Sequence, residues 1–439
     1  MISDTLPPRE TTEAARAAEA AKAAARQRPR LLPTPGNPII DLAIHQKRFG
    51  PLPYLNRAGL LIDEVRAAGL TGRGGAAFPV HRKLAAVLDA SARGRGRPVV
   101  VANGAEGEPA SAKDKSLLLL APHLVLDGLQ LAAETTGAPE GVLYAAIDRA
   151  SAEWLTSLIV QRAATGTDRV PVRLVEAPAR FLAGQESALA SRISGGQALP
   201  AFTPPRVFER GVDGRPTLVQ NVETLAHLSL IARYGAAWFR EAGTAAEPGT
   251  LICTLRQASG RIEITETAFG TRLSSLLDLR GAGAVLVGGY HGAWLPTELA
   301  AGLRLSDASL RPYGATVGAG VLAALPLNRC GLTETARVAR YLALESAGQC
   351  GPCRNGLPRI AAALAEIAIP SSHQAPALLA DLQRWSGLVQ RRGACAHPDG
   401  TVRFVASALS TFSDEIDAHR RGHCTAPDQE PFLPAEAAR

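Results

Sequence analysis

The chain has 439 residues, 46% of them hydrophobic and 20% charged, with 42 Gly, 31 Pro and a formal net charge of +7. This length exceeds one ordinary core, so roughly two to four domains are expected. The charge is modest, and no basic-aromatic interleaving or RNP-type run points to nucleic acid, so a nucleic-acid partner is set aside.

Residues 1 to about 35 carry "TTEAARAAEAAKAAARQRPR", which alternates charge with alanine and offers little to bury. It reads as a flexible extension, or a helix only under favourable conditions. No signal-like apolar region opens the chain, and six cysteines are too few for a disulfide scaffold, so a cytoplasmic protein is expected. From about Arg48 the pattern becomes α/β. "GRPVVVAN" (Gly96–Asn103), "GVLYAAID" (Gly141–Asp148) and "RVPVRLVEAP" (Arg169–Pro178) predict strands separated by apolar helical runs, hence a mostly parallel sheet. "SLLLLAPHLVLDGLQLAA" (Ser116–Ala133) is interrupted by His123, Asp127 and Gln130. It falls short of the roughly 20 apolar residues of a span and predicts a buried helix, with no direct membrane crossing. Gly249–Leu279 predicts a small α+β module, and after about Leu327 amphipathic helices dominate.

Four loops carry candidate chemistry. "GLTGRGGAAFPVHRK" (Gly69–Lys83) is the densest glycine cluster, and its successive N–H groups before a helix suit a phosphate, with Arg73 or Lys83 as countercharge. A tight structural turn explains it equally well. "VVVANGAEGEPASAKDK" (Val99–Lys115) places Glu106 and Glu108 past the carboxyl end of a strand, where open α/β sheets bind ligands; a solvated turn is the plain alternative. "FLAGQESALASRISGG" (Phe181–Gly196) opens a helix with Gln185 and Glu186, and "GRPTLVQNVETLAHL" (Gly214–Leu228) adds Gln220, Asn221 and Thr224 at a loop–helix junction. Four such loops converging would form a cofactor site; one alone would not.

Together these motifs resemble the NADH-oxidising flavoprotein subunit of respiratory complex I and its relatives in soluble hydrogenases and formate dehydrogenases, from about Gly50 to Cys424. The resemblance implies an FMN-binding α/β domain, a small ubiquitin-like β-grasp domain and a helical bundle holding a four-iron, four-sulfur cluster. It implies hydride transfer from NAD(P)H to FMN, then single electrons through the cluster to a ferredoxin-like or other redox subunit, or to a quinone-linked partner. The boundaries that follow are an extension over 1–45, the FMN domain over 46–240, the β-grasp domain over 241–325, the bundle over 326–425 and a tail over 426–439. Residue by residue, Gly72, Arg73, Gly74, Gly75 and Lys83 match the FMN-phosphate loop and its lysine. Phe78 matches an aromatic at the nicotinamide nucleotide. Asn103 and Glu106 match flavin contacts, and Glu108 a carboxylate at the nicotinamide. Gly184 and Glu186 match the family's glycine and second glutamate, and Asn221 and Thr224 its flavin-phosphate or ribitol contacts. No residue is implied as a catalytic acid or base.

The chain also departs from the pattern. Ala105 stands at an aspartate position, Gln185 replaces the first of two glutamates, and Phe181 replaces a tyrosine. "LAAV" (Leu84–Val87) lacks an aromatic, so FMN-phosphate binding is expected to be better kept than nicotinamide binding. In "ESAGQCGPCRNG" (Glu345–Gly356) Cys350 and Cys353 remain, Cys395 lies where the fourth ligand belongs, and Ala347 removes the first thiolate. A four-iron cluster with a non-cysteine ligand, a three-iron cluster, zinc and an empty site all stay open, with His397, Ser346 and Gln349 as substitutes to test. Cys424, beside His423, is a further thiol of no fixed role. Two other readings stand beside the NADH-fed enzyme. One is an NAD-independent FMN subunit that takes its electrons from a ferredoxin or a membrane reductase; the other is a scaffold subunit without cofactors.

Overall fold

The computed structural model describes residues 30–33, 36–55, 58–426 and 430–435. The alanine-rich stretch of the N-terminal extension lies outside them. Four parallel strands form the first sheet: β1 (Val99–Gly104), β2 (Gly141–Ala145), β3 (Val172–Glu176) and β4 (Thr217–Asn221), in the order β3-β2-β1-β4. Val99–Ala102 are buried on both faces, as a parallel sheet covered by helices requires. One face packs on a core that includes Leu84, Val100, Leu129, Leu218 and Leu225, the other on Val99, Val101, Tyr144 and Leu189.

The first strand runs one residue past its predicted segment, to Gly104, and the second and third fall within the segments predicted from sequence. The fourth does not: "TLVQN" reads in sequence as part of a loop–helix junction, and it is a strand. Five residues running straight into the helix Val222–Arg240 leave no turn signal between strand and helix. The apolar run Ser116–Ala133 is two helices, Lys113–Leu120 and Pro122–Thr136, bent by 96° at Ala121. The second is almost wholly buried against the helix Val222–Arg240, where Gly128 lets the backbones touch. No single helix among the described residues is long and apolar enough to cross a membrane.

The second sheet has five strands: β5 (Thr250–Arg256), β6 (Ile262–Ala268), β7 (Ala282–Val287), β8 (Ala293–Pro296) and β9 (Val321–Pro326), in the order β6-β5-β9-β7-β8. Only β5 and β9 pair in parallel, the ordering of a ubiquitin-like β-grasp sheet. The rest is helical: Gly331–Leu344, Leu357–Ile367, Ala375–Val389, His397–Thr411 and Ser413–Arg420. Their apolar faces close on one core through Val338, Leu342, Leu364, Phe404 and Val405, which Trp294 and Tyr290 of the second sheet join.

Candidate functional site

Strand order reverses between β1 and β4, because β2 and β3 lie on one side of β1 and β4 on the other. A crevice opens outside the carboxyl ends of strands at such a switch point. Asn103 and Asn221 are paired neighbours there. The Asn221 side chain caps the helix Val222–Arg240 by accepting from the Glu223 N–H at 3.0 Å. Its amide donates to Asp114 at 2.7 Å and to the Asn103 carbonyl at 3.3 Å. The Asn103 amide donates to the Gly184 carbonyl at 2.8 Å, which draws in the loop ahead of Glu186. Only glycine fits at 184, since a Cβ there would lie 2.5 Å from the Ala105 oxygen. Gln185 is the N-cap of the helix Glu186–Ile193, accepting from the N–H groups of Ser187 and Ala188.

The glycine-rich loop lies against this crevice, with a Cβ on Gly74 only 3.4 Å from that of Asn221. Fully buried Thr224 accepts the Arg73 N–H at 2.8 Å and so pins the loop to the helix. Gly75 and Ala77 both have positive φ, 97° and 49°. The second is a strained value for a residue with a side chain, of the kind that collects at ligand loops. Lys83 and Glu186 form a partly exposed ion pair, and the lysine also donates to the Val219 carbonyl at 3.4 Å. The Nε2 of Gln220, at the end of β4, is buried without a hydrogen-bond partner. Such a donor is costly unless an acceptor reaches it. Glycine N–H groups, an ammonium, the second amide hydrogen of Asn103 and the orphan amide at the end of β4 form a donor set that fits a phosphate-bearing flavin, with Asn221 holding the loops around it.

Other matched residues turn inward. Arg73 does not supply a countercharge to the loop's outer face. Its guanidinium is buried over the Phe269 ring at 4.6 Å and donates to Thr71, Thr250 and Pro248. Burial lowers its pKa to about 10 against the pull of Glu223 and Glu247. It therefore rivets the loop to β5. Glu106 accepts from the Ser111 hydroxyl and the N–H groups of Asp114 and Lys115, holding the first turn of the helix Lys113–Leu120. Glu108 accepts from the N–H groups of Tyr290 at 2.8 Å and Ala110 at 3.4 Å, tying the acidic loop to the turn after β7. Burial pushes its carboxyl up to about 7, only partly offset by those bonds. Phe78 stays exposed beyond the glycine loop.

Lys113, which the motifs do not single out, is buried between Asp114 at 2.6 Å and Glu223 at 2.8 Å. Burial works against its charge, but these carboxylates hold its pKa above the ordinary lysine range. Nothing local in its "KDK" context marks it as interior.

Cys350, Cys353 and Cys395 come together at the bundle. Cys353 sits in a single π-helical turn, Pro352–Gly356, and Cys395 just ahead of the helix His397–Thr411. Cys350 and Cys353 are hydrogen-bonded to each other, and the N–H groups of Ala394, Gly348 and His397 point at Cys350, Cys353 and Cys395 respectively. Burial and the neighbouring thiols push Cys353 up to about 12. Thiols ringed by backbone donors fit an iron–sulfur cluster, whose negative sulfurs those donors stabilise. His397 is no substitute ligand. Its Nε2 donates to the Leu342 carbonyl at 2.8 Å, and its Nδ1 shares a 3.1 Å hydrogen bond with His291. Phe181 packs edge-on to His291 at 4.9 Å, and its N–H donates to Glu345 at 3.0 Å, so the loop carrying Gly184 and Glu186 docks onto the helical region that bears the thiols.

Residues 65–230 match the family model of the Nuo51 FMN-binding domain, and residues 333–419 that of the NADH-ubiquinone oxidoreductase-F iron-sulfur binding region. The F subunit of the NADH-quinone oxidoreductase of Salmonella typhimurium is 30% identical over 382 residues, covering 82% of this chain and 84% of that protein. The chain belongs to the family of NADH-quinone oxidoreductase F subunits. A second relative, the F 2 subunit of the same enzyme in Rhizobium meliloti, is 27% identical over 379 residues, covering 82% of this chain and 88% of its own length. A chain of an NAD+-reducing nickel–iron hydrogenase in its H2-reduced state superposes with a TM-score of 0.74 at 25% identity, covering 87% of this chain and 67% of that one. The crevice thus lies in the flavin-binding region of the F-subunit family, and Cys350 and Cys353 in its iron–sulfur region; Cys395 falls there too.

Proposed function

We propose that this F-subunit homologue takes a hydride from NADH at the β1/β4 crevice and passes single electrons through an iron–sulfur cluster to a ferredoxin-like or other redox subunit. The observation that carries this reading is the convergence of the glycine loop, Lys83, Glu186, Asn103, Asn221 and the orphan Gln220 amide at one switch point. Bound FMN supplies acceptance of two electrons and their release one at a time, which no side chain here offers.

The chain's own part is positioning. Gly74 and Gly75 bring backbone N–H groups to the phosphate, Gly72 closes the loop by donating its own N–H to the Phe78 carbonyl at 2.9 Å, and Lys83 neutralises the phosphate once its ion pair with Glu186 opens. Glu186, freed from Lys83, orients the nicotinamide nucleotide, and Phe78 covers it. Arg73, Thr224, Glu106 and Glu108 hold the loops that present these groups. Cys350, Cys353 and Cys395 hold the cluster as three thiolates, and Ala347 contributes no ligand. The first sheet, the second sheet and the helical region act as three working units, and free thiols suit a reducing cytoplasm.

The test is anaerobic purification followed by denaturation, with release of FMN, bleaching of the flavin by NADH and an iron–sulfur EPR signal as expected results. Protein that retains no flavin after reconstitution would end the proposal. One observation favours a second reading, with electrons entering from a redox partner: Glu108 is committed to Tyr290 and Ala110, and Ala105 brings no carboxylate. Stopped-flow mixing with NADH separates the two, since a flavin that stays oxidised supports the second.

A further inference from the structure

A second group of metal-type ligands lies in the helical region and shares no residue with the three thiols. Cys330 caps the helix Gly331–Leu344, its sulfur accepting the Thr333 N–H at 3.5 Å. Glu415 and His419 stand four residues apart on the helix Ser413–Arg420, so they project from one face. Cys424 follows after a turn in which Gly422 adopts φ +90°. One ligand atom from each of the four lies within 4.8 Å of the others. The Cys330 sulfur is 3.7 Å from His419 Nε2 and 3.8 Å from Glu415 Oε1, and the Cys424 sulfur is 3.1 Å from Glu415 Oε1.

Bond lengths of about 2.0–2.3 Å to zinc put tetrahedral neighbours about 3.3–3.8 Å apart, so these spacings are close to those of a loaded site. His419 Nε2 and Glu415 Oε1, at 2.9 Å, are hydrogen-bonded and would open slightly around a metal. Thr425 donates from its N–H and its hydroxyl to Glu415, as outer partners do for a ligating carboxylate. A cavity of about 420 Å³ reaches His419 and Cys424 and gives an ion a way in.

We propose that Cys330, Glu415, His419 and Cys424 bind one zinc ion in a closed, structural site. Two thiols, an imidazole and a carboxylate select a borderline-soft tetrahedral ion over magnesium or calcium. Binding deprotonates both thiols, with the protons released to solvent, and leaves His419 neutral. The ion joins the start of one helix to the end of another and to the tail beyond. That tail is held one turn further on: Glu334 accepts the N–H groups of Phe432 and Leu433, and Arg337 donates to the Leu433 carbonyl. Tyr290, whose N–H holds Glu108, donates its hydroxyl to Pro434. Zinc therefore anchors the chain at Cys424, ahead of the segment Phe432–Pro434 that binds Glu334, Arg337 and Tyr290.

The test is metal analysis of the full chain, purified anaerobically with its cofactors. One zinc per chain is expected, lost in the C330S/C424S double variant while FMN and iron stay, and kept in C350S while iron falls. Zinc unchanged in the double variant, zinc lost with C350S, or a Cys330–Cys424 disulfide in a non-reducing peptide map would each overturn the site. Should the double variant not fold, alkylation of Cys424 in the wild type decides. Stripping zinc with a chelator should speed its modification at least about tenfold, and an unchanged rate refutes the proposal.

Discussion

The switch-point crevice and the three-thiol turn are built from opposite materials. In the crevice many weak donors share the work: glycine backbone, asparagine amides and one lysine that are already hydrogen-bonded or paired within the protein, and the Gln220 amide, which is not. At the turn three thiols do nearly everything, and the surrounding N–H groups only orient them. A lost side chain should thus weaken the crevice by degrees, whereas a lost ligand changes the turn in kind. Ala105 and Ala347 are the natural experiments, one in each place.

The sharpest way to break the contrast is at the turn. Cys353→Ser should reduce iron per chain by more than about tenfold while FMN content holds, because two thiolates cannot retain a cluster. Iron retained in that variant would mean that ligands lie elsewhere. Conversely, Ala347→Cys should alter the EPR signal by supplying the missing thiolate, and an identical spectrum would show that Ala347 does not face the cluster. Lys83→Ala in the crevice should weaken FMN binding by about 10- to 100-fold, the worth of a charge-assisted hydrogen bond, read by flavin fluorescence titration. Complete loss would show that the crevice depends on one group after all.

How much of this was legible depended on distance along the chain. The turn announces itself, since Cys350 and Cys353 are three residues apart and their spacing has a chemical meaning. The glycine loop was legible for a similar reason. What could not be read was which way each polar side chain turns. Arg73 looked like a phosphate ligand, yet its partners Thr250 and Pro248 lie about 175 residues later, at the start of β5 and just before it. His397 looked free because its partners Leu342 and His291 lie 55 and 106 residues earlier in the chain. Gln220 was noted as a donor, but only the fold shows it as a donor without an acceptor. Cys330 and His419 carried no signal at all, 89 residues apart with no motif joining them.

A gentler probe of the crevice is Phe78, which stands exposed with nothing of its own to stabilise. Phe78→Ala should raise KM for NADH about three- to tenfold through lost stacking while moving Tm by no more than about 1 °C. A large fall in Tm would place Phe78 in the core of the loop instead of on its surface.

The smallest expected effect tests the inward-facing residues. Glu108 holds its proton up to about pH 7 in the folded chain, against an ordinary 4.5, chiefly because burial disfavours its charge. A carboxyl whose pKa rises on folding binds its proton more tightly in the native state than in the unfolded one. Its contribution to stability is therefore complete below about pH 4.5 and is lost as the pH climbs through about 7. Glu108→Gln keeps the shape and removes the titration. Wild-type Tm should fall between about pH 5 and pH 8 by about 3 °C more than that of the variant. Equal slopes would mean that water or a bound group already stabilises the carboxylate. Glu108 would then belong with Lys83 and Glu186 among the residues that face the ligand, and not with Arg73 and Glu106 among those that hold the loops in place.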